Sequence, residues 1–200
     1  MACGGNVRIK VFTEAESMLL QKHFNKERHN LDIALIEVLY QTGCRCSELV
    51  RIRPRDINAS KCTIRIHRGA KGSDARTCDV KQELCFVLLD LAARAKVGEN
   101  EPIIKARRTD GDVEPIQVRA DKAWVERHWH SLQEKLFGEV NHGTHTFRHN
   151  FARLVFLVTG KNIKAVQISL GHKSATSTML YLNYFMMQEY KAELATLIAY

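Results

Sequence analysis

The chain has no run of the roughly 18 apolar residues that a membrane-spanning helix requires. Its opening, MACGGNVRIK, lacks the apolar core of a secretory signal, which argues against secretion and for the cytoplasm. Also missing are a Walker A loop, an acidic triad and any ligand spacing of the zinc-binding kind. Those absences point away from nucleotide hydrolysis and metal-dependent chemistry, so no cofactor and no metal ion are expected. Proline is scarce, with three residues in 200, and no repeat, low-complexity tract or Pro/Ser-rich linker divides the chain. One domain is expected, long enough to bury a sizeable core.

Six cysteines (3, 44, 46, 62, 78 and 85) are scattered without a framework, and in an unsecreted chain they read as reduced, mostly buried thiols. Cys44 and Cys46 flank Arg45, but two thiols without partners make a poor metal site, so both are expected to fill small apolar positions. Positive charge, by contrast, is in excess: the net charge is +8 and the pI about 9.3. That balance suits a polyanion, chiefly nucleic acid. The clusters Arg51-Arg53-Arg55 and Lys105-Arg107-Arg108 read either as solvated faces or, with a nucleic-acid partner, as salt-sensitive phosphate contacts.

Local signals sketch a mainly α fold with a small antiparallel β-sheet. Thr13 to Glu16 fits a capping box and opens a helix with Met18, Leu19 and Leu20 on its apolar side. Asn30 can cap LDIALIEVLYQT, which Gly43 stops, and a short helical SELVRI ends before Pro54. KCTIRIH alternates, with Cys62, Ile64 and Ile66 on one side, as a half-buried strand does. GAKGSD is a turn, and ARTCDV returns as the second strand of a hairpin. A helix is expected from Glu83 to about Val97, then a loop over 98–118 in which EPII forms a short strand. A long amphipathic helix from about Ala120 to Phe137 follows, carrying Trp124 and Trp129. Beyond Gly143 come a helix over HTFRHNFARLVF, a helix NIKAVQISL closed by Gly171, a short helix through Tyr181, and a tail helix near 185–199. Residues 1–12 read as a tail and 13–200 as the domain.

The stretch GTHTFRHNFARLVF is unusual, because so much charge precedes an apolar run. His145 and Arg148 lie three residues apart on one helical face, with Phe147, Phe151 and Leu154 as backing. Two other stretches belong with it: TGCRCSELVRI (42–52) and LGHKSATSTMLY (170–181), in which Tyr181 lies nine positions after His172. In order, type and spacing these closely resemble the tyrosine recombinase, or phage integrase, family, whose pattern runs TGxRxSEL, HxxR, LGH and then a tyrosine about nine residues later. The resemblance covers roughly Val11 to Tyr190. Phe147 stands where the family commonly has leucine, a tolerable apolar exchange.

The resemblance implies a DNA breaking-rejoining fold and a site-specific recombinase. Such an enzyme cleaves and rejoins double-stranded DNA through a covalent 3′-phosphotyrosyl intermediate, without metal or ATP. Arg45 and Arg148 would clamp the scissile phosphate, since guanidinium supplies donors in fork geometry where charge develops. His145 and His172 would join them. Tyr181 would be the nucleophile, with Tyr184 its rival. Lys71 on the hairpin turn would protonate the leaving 5′ oxygen, with Arg68 and Lys61 as nearby alternatives. Glu48 reads as an acid that orients Arg45, and His149 as a packing residue. The tail helix would either dock on a neighbouring protomer in a tetramer on DNA or fold back on its own domain. Family members usually carry a helical DNA-binding domain before the catalytic one, and none is expected in this chain. A type IB topoisomerase-like or telomere-resolving enzyme, and a catalytically silent DNA-binding regulator on the same fold, stay open as alternatives.

Overall fold

A computed structural model describes residues 9–27, 30–69, 73–108, 116–119, 122–174, 176, 178–179, 183–187, 190–191 and 194. Helix α1 (Glu14–Lys26) starts as its sequence dictates: the Thr13 hydroxyl accepts from the Glu16 amide at 3.2 Å, and the Glu16 carboxylate accepts from the Thr13 amide at 2.7 Å. The face it buries differs from expectation. Leu20 and Phe24, four apart, point inward, whereas Met18 and Leu19 are exposed. Residue 18 sits about 200° around the helix from residue 20, so only one of the two can face the core.

Helix α2 (Leu31–Thr42) is apolar on every side and lies at the centre, packed against α1 and the helices described below. Ile33, Ala34, Leu35, Ile36, Val38 and Leu39 are all buried. Gly43 ends it with φ +57°, and a Cβ there would sit 2.6 Å from the Phe151 ring, so glycine is required twice over. The short α3 (Cys46–Leu49) follows, and a 3₁₀ turn (Pro54–Asp56) leads into the sheet.

The sheet has three antiparallel strands in the order β1 (Ile57–Asn58), β2 (Thr63–Ile66), β3 (Arg76–Asp79). The expected hairpin is β2–β3, with Ile64 opposite Cys78 and Ile66 opposite Arg76. β1 is too short to show any alternation. Cys62, expected on the strand's inner side, has φ +54° and precedes the strand instead. Residues 70–72 of the turn lie outside the described residues.

Helix α4 (Gln82–Arg94) covers the sheet with Leu84, Cys85, Val87, Leu88 and Ala92. It ends before Val97 because Lys96 turns left-handed at φ +50°. EPII is not a strand. A second hairpin, β4 (Lys105–Arg108) with β5 (Ile116–Arg119), occupies part of the region expected to be loop.

Helix α5 (Lys122–Phe137) places the next segment. Its Trp129 is fully buried against Phe12 and Phe147, and its indole donates to the His142 carbonyl at 2.7 Å. Gln133 holds His142 from both sides, donating to its carbonyl at 2.8 Å and accepting from its amide at 2.7 Å. The His142 ring meets Glu16 of α1 at 2.7 Å. The chain is therefore fixed just before α6 (His145–Val158), whose position follows from that anchorage. Helix α7 (Ile163–Leu170) is capped by Asn162, whose side chain accepts from the Ala165 amide, and closed by Gly171 at φ +64°.

A second apolar cluster joins α6 and α7 to the tail: Ala152, Phe156, Val166 and Leu170 pack with Ile9 and Phe185. Helix is present at 176, 178–179, 183–187, 190–191 and 194, while Tyr181 and much of the expected tail helix lie outside the described residues. Among the described residues no helix is long and apolar enough to cross a membrane.

Candidate active site

Three distant segments meet at one side chain. Arg148 is almost wholly buried, and its guanidinium donates from Nη1 to the Gly43 carbonyl at 2.8 Å and from Nη2 to the Leu170 carbonyl at 2.7 Å. Gly43 stands two positions before Arg45, and Leu170 two before His172. One fork-shaped cation therefore links TGCRC, HTFRH and LGH, which ammonium geometry could not do.

Arg45 caps α3 in an extended conformation and is partly exposed. Glu48, with no solvent exposure, holds it twice. The carboxylate accepts from the Arg45 amide at 3.0 Å and from its Nη1 at 3.3 Å. The orienting role expected for Glu48 is seen, but the residue does more. It also accepts from the Ser73 hydroxyl and from Arg76 Nη2, the latter at 3.2 Å. Burial alone would raise the Glu48 carboxyl. Arg76 foremost, then Ser73, the Arg45 amide and Arg148, hold it below the usual range instead.

His145 opens the first turn of α6 and faces solvent, one turn before buried Arg148. Of the expected backing, Phe147 is fully buried and Phe151 half-buried, but Leu154 points outward at 42% exposure. Leu154 is six positions, or about 240°, beyond Arg148, and so on another face. His172 follows the left-handed Gly171 and is buried. Its Nδ1 bonds the Thr178 hydroxyl at 2.9 Å, and its carbonyl accepts from Gln167 at 3.0 Å. The same turn is tied to the hairpin, because the Asp74 amide donates to the Gly171 carbonyl at 2.9 Å.

Electrostatics confirms the convergence. Burial first, then the charges of Arg148, Arg45 and Arg76, push His172 down to about 4. Desolvation, followed by Arg148 and Arg45, likewise lowers His145. Both shifts favour the neutral ring at neutral pH. His149 bonds the Lys10 carbonyl at 3.0 Å through Nδ1 and packs half-buried, as a packing residue should. Cys44 and Cys46 are buried free thiols, raised by desolvation to about 12 and about 11, and so chemically quiet. Lys71 and Tyr181 lie outside the described residues.

The neutral state of His172 has a consequence for stability. Unfolded histidine titrates near ~6.5, so between that pH and about 4 the unfolded chain binds a proton that the folded chain refuses. Stability is therefore complete above the unfolded pKa and falls as pH drops through this window. Ring-carbon NMR should show His172 neutral at pH 6, and His172→Gln should flatten part of the acid slope in thermal melts. A ring that titrates normally would contradict an enclosed cationic pocket.

No local signal marks Ser73 or Thr178, whereas Arg76 carries one in the strand register. Directly opposed residues share a face, and Arg76 opposes buried Ile66. Paired in that register, ARTCDV carries an inward-facing arginine.

A family model described as the phage integrase family matches residues 10–187. The chain belongs to the phage integrase family. Among curated relatives, this phage integrase family chain is 31% identical over 176 residues to tyrosine recombinase XerC of Anoxybacillus flavithermus, covering 84% of this chain and 55% of that protein. It is 29% identical to tyrosine recombinase XerA of Pyrococcus furiosus, covering 86% and 56%. The chain thus spans about half the length of the curated relatives it matches. Among solved structures, a XerA recombinase superposes with a TM-score of 0.70 at 24% identity, covering 92% of this chain and 65% of that one. The XerH site-specific recombinase bound to palindromic difH substrate superposes with a TM-score of 0.73 at 19% identity, covering 96% and 55%. A lambda integrase dimer bound to a core site gives 0.61 at 20% identity, covering 91% and 50%. At these identities the superpositions establish the fold: mainly α, with a small three-stranded antiparallel sheet, as in tyrosine recombinase catalytic domains.

Proposed function

We propose that residues 13–200, together with the segment preceding them, form the catalytic part of a site-specific DNA recombinase that acts on double-stranded DNA without metal or ATP. Ile9 and Phe12 of that segment pack into the cores, so it is no mere tail. The observation that carries this reading is the Arg148 bracket. By tying Gly43 to Leu170 it brings Arg45 and His172 around one cationic centre. Relatives named as tyrosine recombinases support it.

In this reading Arg45, Arg148, His145 and His172 face the non-bridging oxygens of the scissile phosphate, where negative charge grows during attack. The Tyr181 phenol loses its proton to a neutral imidazole, and its oxygen bonds to phosphorus. The bond from phosphorus to the 5′ oxygen breaks, and Lys71 donates the proton that the leaving oxygen needs. The phosphodiester is kept as a tyrosyl ester, so attack by a 5′ hydroxyl reverses each step and rejoins the strand. Two arginines and a lysine offset charge that a metal ion could otherwise neutralise.

Assembly into a tetramer on DNA would use the tail. Phe185 is already buried against its own domain, while Met186, Met187 and Tyr190 are exposed and available to a second protomer.

The test uses a library of nicked duplexes of randomised sequence, in chelator and without ATP. Wild-type protein should form an adduct that survives detergent and yields to protease. No adduct with any sequence would sink the reading. Relaxation of supercoiled plasmid without exchange between sites would redirect it to a topoisomerase-like enzyme.

A further inference from the structure

The β2–β3 hairpin delivers a third guanidinium to this centre. Arg76 opposes Ile66 in register and so points inward, and its side chain is only 7% exposed. Its Nη2 meets Glu48 Oε2 at 3.2 Å, and its guanidinium also lies against the Cys78 thiol on the same strand. It also abuts the LGH turn: a Cβ on Gly171 would lie 3.3 Å from its Nη1. This is a poor device for stability alone, because a buried ion pair barely offsets its desolvation. The carboxylate it holds, however, is the one that grips Arg45 through both amide and guanidinium.

We infer that Arg76 is a positioning residue. It keeps Glu48 ionised and aimed, and Glu48 in turn keeps Arg45 set toward the scissile phosphate. Arg76 itself touches no substrate. The inference rests on the function proposed above. Among the described residues, the charged and titratable groups facing Glu48 are Arg45 from the start of α3, Arg76 from β3, Arg148 from α6, His172 after α7, and the thiols of Cys44 and Cys78. Arg76 contributes the largest of the influences that keep the carboxylate charged. Without it, burial is opposed less, Glu48 holds its proton to higher pH, and a neutral acid releases Arg45.

The experiment measures single-turnover cleavage by the full chain on a duplex selected as above, from pH 6 to 9. Arg76→Met should cut at a rate reduced about 10²-fold near neutral pH, the scale of losing one preorganised donor. The rate should recover as pH rises and Glu48 ionises, whereas Arg76→Lys should keep most of it. Glu48→Gln should show a similar loss without the alkaline recovery, and the double variant should be no worse than Glu48→Gln, since both act along one path. A methylphosphonate at the scissile position, which removes the charge that Arg45 meets, should shrink the Arg76→Met defect. A Glu48→Gln protein that cuts like wild type would overturn the proposal. So would an Arg76→Met defect equal at every pH and on both substrates. Wild-type failure to form any adduct would instead overturn the recombinase reading.

Discussion

Tyr181→Phe should abolish the covalent protein–DNA adduct, while Tyr184→Phe should form it at close to the wild-type rate. The first change deletes one oxygen, but that oxygen is the proposed nucleophile, and losing a nucleophile costs on the order of 10⁴-fold or more. Sequence spacing favours Tyr181. It lies three residues after Thr178, whose hydroxyl bonds the His172 ring. Tyr184 is placed differently. Its ring packs edge-on against Phe185 at 6.0 Å, beside the apolar cluster of α6 and α7. Replacing it with phenylalanine preserves that packing. Gel shift in detergent, followed by peptide mapping of the linked residue, decides between them. An adduct that persists in Tyr181→Phe and vanishes in Tyr184→Phe would reverse the assignment.

What the sequence revealed follows from how local each cause was. The α1 capping box, the α2 run and the stops at Gly43 and Gly171 are written in neighbouring residues, and all appear in place. Failures occurred where a neighbour distant in sequence decides. Met18 and Leu19 looked like core because they adjoin Leu20, yet the helical period turns them outward. Leu154 failed for the same reason. The β4–β5 hairpin has KARR as one strand, a segment with no alternation to read. In the candidate site, the motifs single out Arg45, His145, Arg148 and His172 by a family spacing, and the fold brings these four side chains together. The residues that hold them, Ser73, Arg76 and Thr178, are chosen by contacts across 25, 28 and 6 positions. No spacing rule records the first two. Arg76 would have required the strand register.

Arg148→Lys should cut DNA about 10²- to 10³-fold more slowly yet bind it nearly as well, and Arg148→Ala should also lose much of its fold. The alanine variant is the less informative probe, for a structural reason. Arg148 reaches carbonyls 105 and 22 positions away from inside the protein. Truncation strands both acceptors at about 1–3 kcal/mol each and leaves a hole where a large side chain stood. A combined loss of about 3–5 kcal/mol is a large share of a typical stability of about 5–15 kcal/mol. Inactivity in that variant would therefore confuse chemistry with unfolding. Lysine keeps the charge and most of the volume but replaces the fork by a single ammonium, which cannot serve both carbonyls and a phosphate in fixed geometry. Binding should survive because one contact among many phosphate contacts is altered, whereas cleavage should not, because the lost donors matter most where charge peaks. Thermal melts, equilibrium binding and single-turnover cleavage, measured on both variants, separate these effects. An Arg148→Lys protein that cuts at near the wild-type rate would mean that fork geometry is not used on the phosphate. Equal losses of binding and cleavage would mean that Arg148 grips the ground state as firmly as the transition state, and the clamp would then be a DNA anchor instead of a catalyst.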